Sequence, residues 1–135
     1  MQGDTHRYWG NNYGDLKEYW SAVEDYTRAI VLDPGYAEPY YCRGVLYWRE
    51  IGNYYRAIQD LTRVMELDPG RAEAYLNRGL AYKLHKQPDK AVADLEQYLA
   101  RGKDPFWREA ASRQLAELRD EPDWETAGGD QAVPV

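Results

Sequence analysis

One cysteine, Cys42, stands in the whole chain, so no disulfide can close within it and a cysteine-based zinc site has too few ligands. The two histidines, His6 and His85, are far apart, and neither lies three or four residues from the other or from Cys42, so the pattern gives no metal ligand set. No run approaches the ~18 apolar residues that a membrane span needs, and the start, MQGDTHRYWG, has no charged-then-apolar leader. This excludes a membrane partner and a secretory route and predicts a cytoplasmic protein. Positive charge is also scarce. Seventeen Lys and Arg stand against 23 Asp and Glu, a net of −6, a poor start for neutralising phosphates, so nucleic acid is excluded as a partner. Ser21 and Ser112 lack a strained elbow motif, and neither a glycine-rich phosphate loop nor a paired-carboxylate motif occurs. No catalytic residue and no cofactor is assigned, and an enzyme is the weakest reading.

What the chain does have is aromatic surface and self-similarity. Its 135 residues are 44% hydrophobic and 30% charged, which suits one soluble domain, and 13 Tyr and 5 Trp outweigh a lone Phe. Residues 22–40, AVEDYTRAIVLDPGYAEPY, match residues 57–75, AIQDLTRVMELDPGRAEAY, at an offset of 35. A third copy shows in AEAYLNRGLAY and KAVADLEQYL, where Arg78-Gly79 answers Arg43-Gly44. The spacing from the small residue of the first half to the alanine of the second is 12 for Gly10 to Ala22, 13 for Gly44 to Ala57 and 12 for Gly79 to Ala91. One residue has therefore been inserted near Ile51.

Apolar residues recur at helical spacing in each half, as Tyr40, Gly44, Tyr47 and Ile51 and as Ala57, Leu61 and Val64, with Gly52-Asn53 as a breaker between them. Asp33-Pro34-Gly35 and Asp68-Pro69-Gly70 end the second halves, because proline has no N–H to continue the ladder. The pattern predicts seven helices, at about 5–17, 19–32, 36–50, 53–67, 71–86, 88–101 and 105–119, and no strands. Asp104 and Pro105 open the last of these as N-cap and first helical residue, ahead of a stripe of Trp107, Ala111, Leu115 and Leu118. Residues 120–135 hold five acids, no Lys or Arg and no periodicity, which predicts a disordered acidic tail and leaves −1 on the rest of the chain.

Tyr40, Gly44, Tyr47, Ala57, Leu61, Val64 and Pro69, and then Tyr75, Gly79, Tyr82, Ala91 and Leu95, resemble the tetratricopeptide repeat pattern. The first copy is fainter in its first half (His6, Gly10, Tyr13) and strong in its second (Ala22, Tyr26, Ala29, Pro34). The resemblance covers residues 5–101 and implies an all-α solenoid of three helical hairpins, about 5–35, 36–70 and 71–103, closed by a capping helix at 105–119. The first helix starts almost at Met1 with no N-terminal cap, so a piece of a longer array is weighed equally with a whole one.

In this family the first helix of each hairpin lines a groove that holds a peptide. On that face fall Arg7 and Asn11 in the first copy, Tyr41, Cys42, Val45, Trp48 and Arg49 in the second, and Asn77, Leu80 and Lys83 in the third. Tyr41, Val45 and Trp48 make a second apolar face on their helix, separate from the Tyr40, Gly44, Tyr47 stripe, and an unpartnered apolar face marks a binding surface. Packing of Trp48 into the core is the competing reading. One branch of the family clamps a terminal carboxylate at positions that here hold Arg7, Asn11, Cys42, Glu73 and Asn77. Only the first two suit an anion, and Glu73 opposes one. The function expected is non-catalytic binding of a peptide or protein segment. The alternative is a structural subunit that self-associates or extends a longer array.

Overall fold

The computed structural model describes the backbone of residues 8–130 and the side chains of residues 16–120. In chain order the helices are α1 (Tyr8–Leu32), α2 (Ala37–Leu46), α3 (Tyr54–Leu67), α4 (Ala72–Leu84), α5 (Pro88–Arg101) and α6 (Pro105–Asp130), with no strand among the described residues. A π-turn at Tyr47–Ile51 prolongs α2. The chain divides into two compact units after Pro69, α1 to α3 in one and α4 to α6 in the other.

Both complete hairpins, α2–α3 and α4–α5, are closed by a residue in the left-handed conformation. In the first it is Gly52, at φ 85°, and its N–H and that of Asn53 both donate to the Tyr47 carbonyl, at 2.7 and 2.9 Å. The Asn53 side chain then accepts from the Arg56 N–H at 3.1 Å and caps α3. The second turn uses Lys86, at φ 61°, followed by Pro88 at the first position of α5. The inserted residue of the second copy is absorbed by the π-turn, which adds one residue to a helical turn and keeps the hairpin in register.

Two expectations are corrected. Residues 5–17 and 19–32 do not form a hairpin, because α1 continues through Lys17 and Glu18 to Leu32, giving six helices in place of seven. The positions equivalent to Gly52 and Pro88 are Lys17 and Tyr19, so the first copy has neither the residue that turns left-handed without strain nor the one that forces a restart. At the other end α6 does not stop near 119 but runs to Asp130, its backbone staying helical across Pro122, where one ladder hydrogen bond is lost.

Packing within each unit follows the repeat. Gly44 sits against α3, where an added methyl carbon would lie 3.0 Å from Leu61 Cγ; at Gly79 the same distance, to Leu95 Cγ, is 3.1 Å. Ala57, Leu61, Val64, Ala91 and Leu95 are all 0% exposed. In the second unit Ala111, Leu115 and Leu118 of α6 join Leu76, Ala91, Leu95 and Tyr98 in one buried cluster. Trp107, expected on that buried stripe, is instead 42% exposed and stacks edge-on against Phe106. Gly102 closes α5, its amide donating to the Tyr98 carbonyl and its surface so close to the Tyr98 ring that a side chain would overlap it.

Ala57→Arg should lower stability by about 3 kcal/mol or more, since a long cation replaces a fully enclosed methyl group. A thermal melt within a degree or two of the parent would show otherwise. Deleting 104–135 should expose the face of α5 under Ala111, Leu115 and Leu118 and produce a lower, concentration-dependent melt, checked by circular dichroism with light scattering.

Candidate functional site

Each hairpin is fastened by one charge pair. Arg43, just before the close-contact Gly44, sends Nε and Nη2 to the two oxygens of Asp60, both at 2.8 Å, and Arg78 does the same to Asp94 at 2.7 and 2.8 Å. Asp60 and Asp94 are 6% and 4% exposed, and a bidentate fork is the geometry that makes such burial tolerable. The bonds from Asp60 hold the Arg43 guanidinium above its ordinary range, while burial pushes the Asp60 carboxyl up against the opposing pull of Arg43. Arg43 Nη1 also donates to Thr27 Oγ1 at 2.9 Å, tying α1 to α2. Asp60 and Asp94 recur at the repeat period as inter-helix groups, and the recurrence of Arg-Gly is the sequence signal for their partners.

With the core face of α2 used in this way, its opposite face borders a cleft in the first unit. The cleft holds about 290 Å³ and is lined by Ala22 and Tyr26 of α1, Tyr41, Cys42, Val45 and Leu46 of α2, and Arg49 and Glu50 of the π-turn. Its walls are mostly hydrocarbon and aromatic ring, with Arg49 and Glu50 at one end. Cys42 Sγ lies 3.4 Å from Glu38 Oε2. Burial, with the Cys42 thiol beside it, raises the Tyr26 hydroxyl above its usual range. Among the described residues no cluster of His, Cys, Asp or Glu could hold a metal ion, and no helix is long and apolar enough to cross a membrane.

The residues expected on the binding face are distributed as follows. Tyr41, Val45 and Arg49 meet at the cleft. Trp48 is half-buried beside it and does not line it; the Arg49 guanidinium lies 5.9 Å from its ring centre. In the second unit Asn77 donates to the Glu73 carbonyl at 2.9 Å, Leu80 packs against the buried cluster, and Lys83 reaches α6, bonding Gln114 and pairing with Glu117 at 2.9 Å. Arg7 lies outside the described residues, as does the side chain of Asn11. Ala22, Tyr26, Leu46 and Glu50 were not foreseen. Ala22 and Tyr26 occupy positions that are enclosed in the other copies, and the signal for their exposure was the absent turn at Lys17 and Glu18.

The repeat sequence and its helical fold have counterparts in known proteins. A family profile described as TPR repeat matches residues 10–50, and one described as Tetratricopeptide repeat matches 37–71 and 72–101. The TPR domain of Arabidopsis OM64 is 30% identical over 80% of this chain and 88% of its own, with a TM-score of 0.68. The chain belongs to the tetratricopeptide repeat family. Two further repeat domains of this kind are similar to it. The second TPR of Spaghetti (RPAP3), bound to the HSP90 peptide SRMEEVD, is 31% identical over 68% of this chain and 86% of that one, with a TM-score of 0.60. The second TPR domain of human RPAP3, in complex with the HSP70 peptide SGPTIEEVD, is 26% identical over 84% and 91%, with a TM-score of 0.69. No curated protein sequence matches at a significant level.

Within the tetratricopeptide frame, Tyr47 belongs to the packing stripe and Trp48 to the face beside it. Tyr47 is 4% exposed, in edge-on contact with Trp20 at 6.3 Å between ring centres. Tyr47→Ala should therefore cost on the order of 3 kcal/mol in a denaturant titration, and Trp48→Ala less than about half of that. Equal losses would place Trp48 in the core.

Proposed function

We propose that this chain is a non-catalytic interaction module that binds a peptide or extended protein segment on the face of its hairpin-opening helices. The observation that carries this reading is the cleft beside α2, where Tyr41, Val45 and Leu46 offer an apolar seat next to the Arg49 cation. Tyr and Arg are residue types that dominate binding energy once they are desolvated at the centre of an interface. Trp48 extends this face; Arg7 and Asn11 from the first copy, and Asn77, Leu80 and Lys83 from the third, are its counterparts in the repeat. Similar domains hold short peptides, which supports the reading.

The ligand chemistry differs from theirs. The positions that would clamp a terminal carboxylate hold Cys42, Glu73 and Asn77 in the second and third copies, and Glu73 brings a negative charge. The seat fits a segment with an aliphatic or aromatic anchor. Neither a nucleic acid nor a membrane is proposed as partner, since acids outnumber bases 23 to 17. The single thiol, Cys42, suits a reducing, cytoplasmic setting.

Peptides selected from a random display library should carry such an anchor. They should lose roughly thirtyfold in affinity, about 2 kcal/mol, on Tyr41→Ala or Arg49→Ala. The HSP90 peptide SRMEEVD should bind far more weakly than the selected ones. Selected peptides indifferent to both substitutions, or SRMEEVD as the tightest ligand, would overturn the proposal.

A further inference from the structure

Ala22, Asp25 and Tyr26 lie three and four residues apart and so share one face of α1. Their repeat equivalents are Ala57, Asp60 and Leu61 in α3 and Ala91, Asp94 and Leu95 in α5, all of them buried. In those hairpins the cover is a helix that presents arginine followed by glycine. Gly44 packs on Leu61 and Gly79 on Leu95, while Arg43 and Arg78 fork onto Asp60 and Asp94. On α1 the same three positions are open. Ala22 and Tyr26 are half-buried and line the cleft, and the Asp25 side chain is 69% exposed. Asp25 pairs with Arg28 of its own helix, an exposed pair three residues apart that contributes little and is readily exchanged for a better one. The first repeat has no such cover of its own, because α1 is unbroken from Tyr8 to Leu32 and the position equivalent to Arg43 and Arg78 is Trp9.

We infer that the peptide held in this cleft is a helix that carries arginine followed by glycine. Its glycine seats on Ala22 and Tyr26, as Gly44 does on Leu61, and its arginine forks onto Asp25, as Arg43 does onto Asp60. One turn away its apolar residues meet Tyr41 and Val45. Space and charge set the requirement together. At Gly44 and Gly79 an added methyl carbon would lie 3.0 and 3.1 Å from a leucine, so a larger residue at that place holds the two helices apart. A carboxylate brought under a bound helix needs a cation to match it, and the guanidinium fork is the match that this chain uses twice. The inference rests on the cleft being the peptide seat and names the class of peptide that fills it.

The probe is a free peptide with the α4 sequence, AEAYLNRGLAYKL, capped at both ends, labelled with fluorescein and titrated against the full chain. It should bind saturably by fluorescence anisotropy and gain helical circular dichroism as it binds. Replacing its arginine by alanine, or making Asp25→Asn in the protein, should each weaken binding about tenfold, and the two together no further. Aspartate in place of the peptide arginine should restore binding to the Asp25→Arg protein. Both protein variants should melt as the parent does, since Asp25 is exposed. A peptide that does not bind, binds without becoming helical, or binds Asp25→Asn as well as the parent overturns the inference. Display-selected peptides separate this outcome from the fate of the seat itself. Those that need Tyr41 and Arg49 but lack Arg-Gly and ignore Asp25→Asn overturn the inference and leave the seat standing; those that ignore Tyr41 and Arg49 overturn both.

Discussion

The arginine fork across each helix pair is the joint on which the rest of the chain depends. Arg43 and Asp60, and Arg78 and Asp94, stand next to the glycine and the leucine that make the closest approach of their two helices. Packing brings the backbones together without choosing an orientation, because a methyl-sized gap can be filled at more than one crossing. The fork chooses it: two parallel bonds to one carboxylate hold only when the helices meet at a single register. Losing one partner would leave an enclosed charge unmatched, which costs far more than the pair contributes, so the joint acts mainly as a penalty on wrong arrangements.

Where the fork is absent the architecture changes. The first copy keeps the alanine and the proline of the pattern but replaces the arginine with Trp9 and the turn with Lys17-Glu18, and there the helix is unbroken. Secondary structure, packing and surface chemistry thus change together at one end of the repeat. An apolar seat opens beside Tyr41 and Val45 in the same unit.

Much of this was legible in the amino-acid order. Periodicity located five of the helix starts and ends to within a few residues, because Asp-Pro-Gly and Gly-Asn interrupt the apolar spacing where the helices end. The close-contact glycines and the buried alanines followed from their recurrence. The continuity of α1 was not foreseen, since a faint match to the first half of the pattern was read as a helix of its own; the local residues Leu16, Lys17 and Glu18 are ordinary helix formers and contain no stop. Helical spacing put Tyr41, Val45 and Arg49 on one side of their helix, and the three line the cleft. It could not give the engagement of Lys83 with Gln114 and Glu117, which depends on how α6 lies against its neighbours.

The π-turn at Tyr47–Ile51 shows how such a chain tolerates a change of length. An extra residue in an α-helix rotates everything after it by about 100° and would point the next apolar stripe away from its partner. Widening one turn, with the Gly52 amide reaching five residues back to Tyr47, discharges that rotation before the chain leaves the helix. The insertion is thus silent in the core. The widened turn carries half-buried Trp48 and exposed Arg49 and Glu50, while Tyr47 stays in the core and the Arg43–Asp60 joint is left untouched.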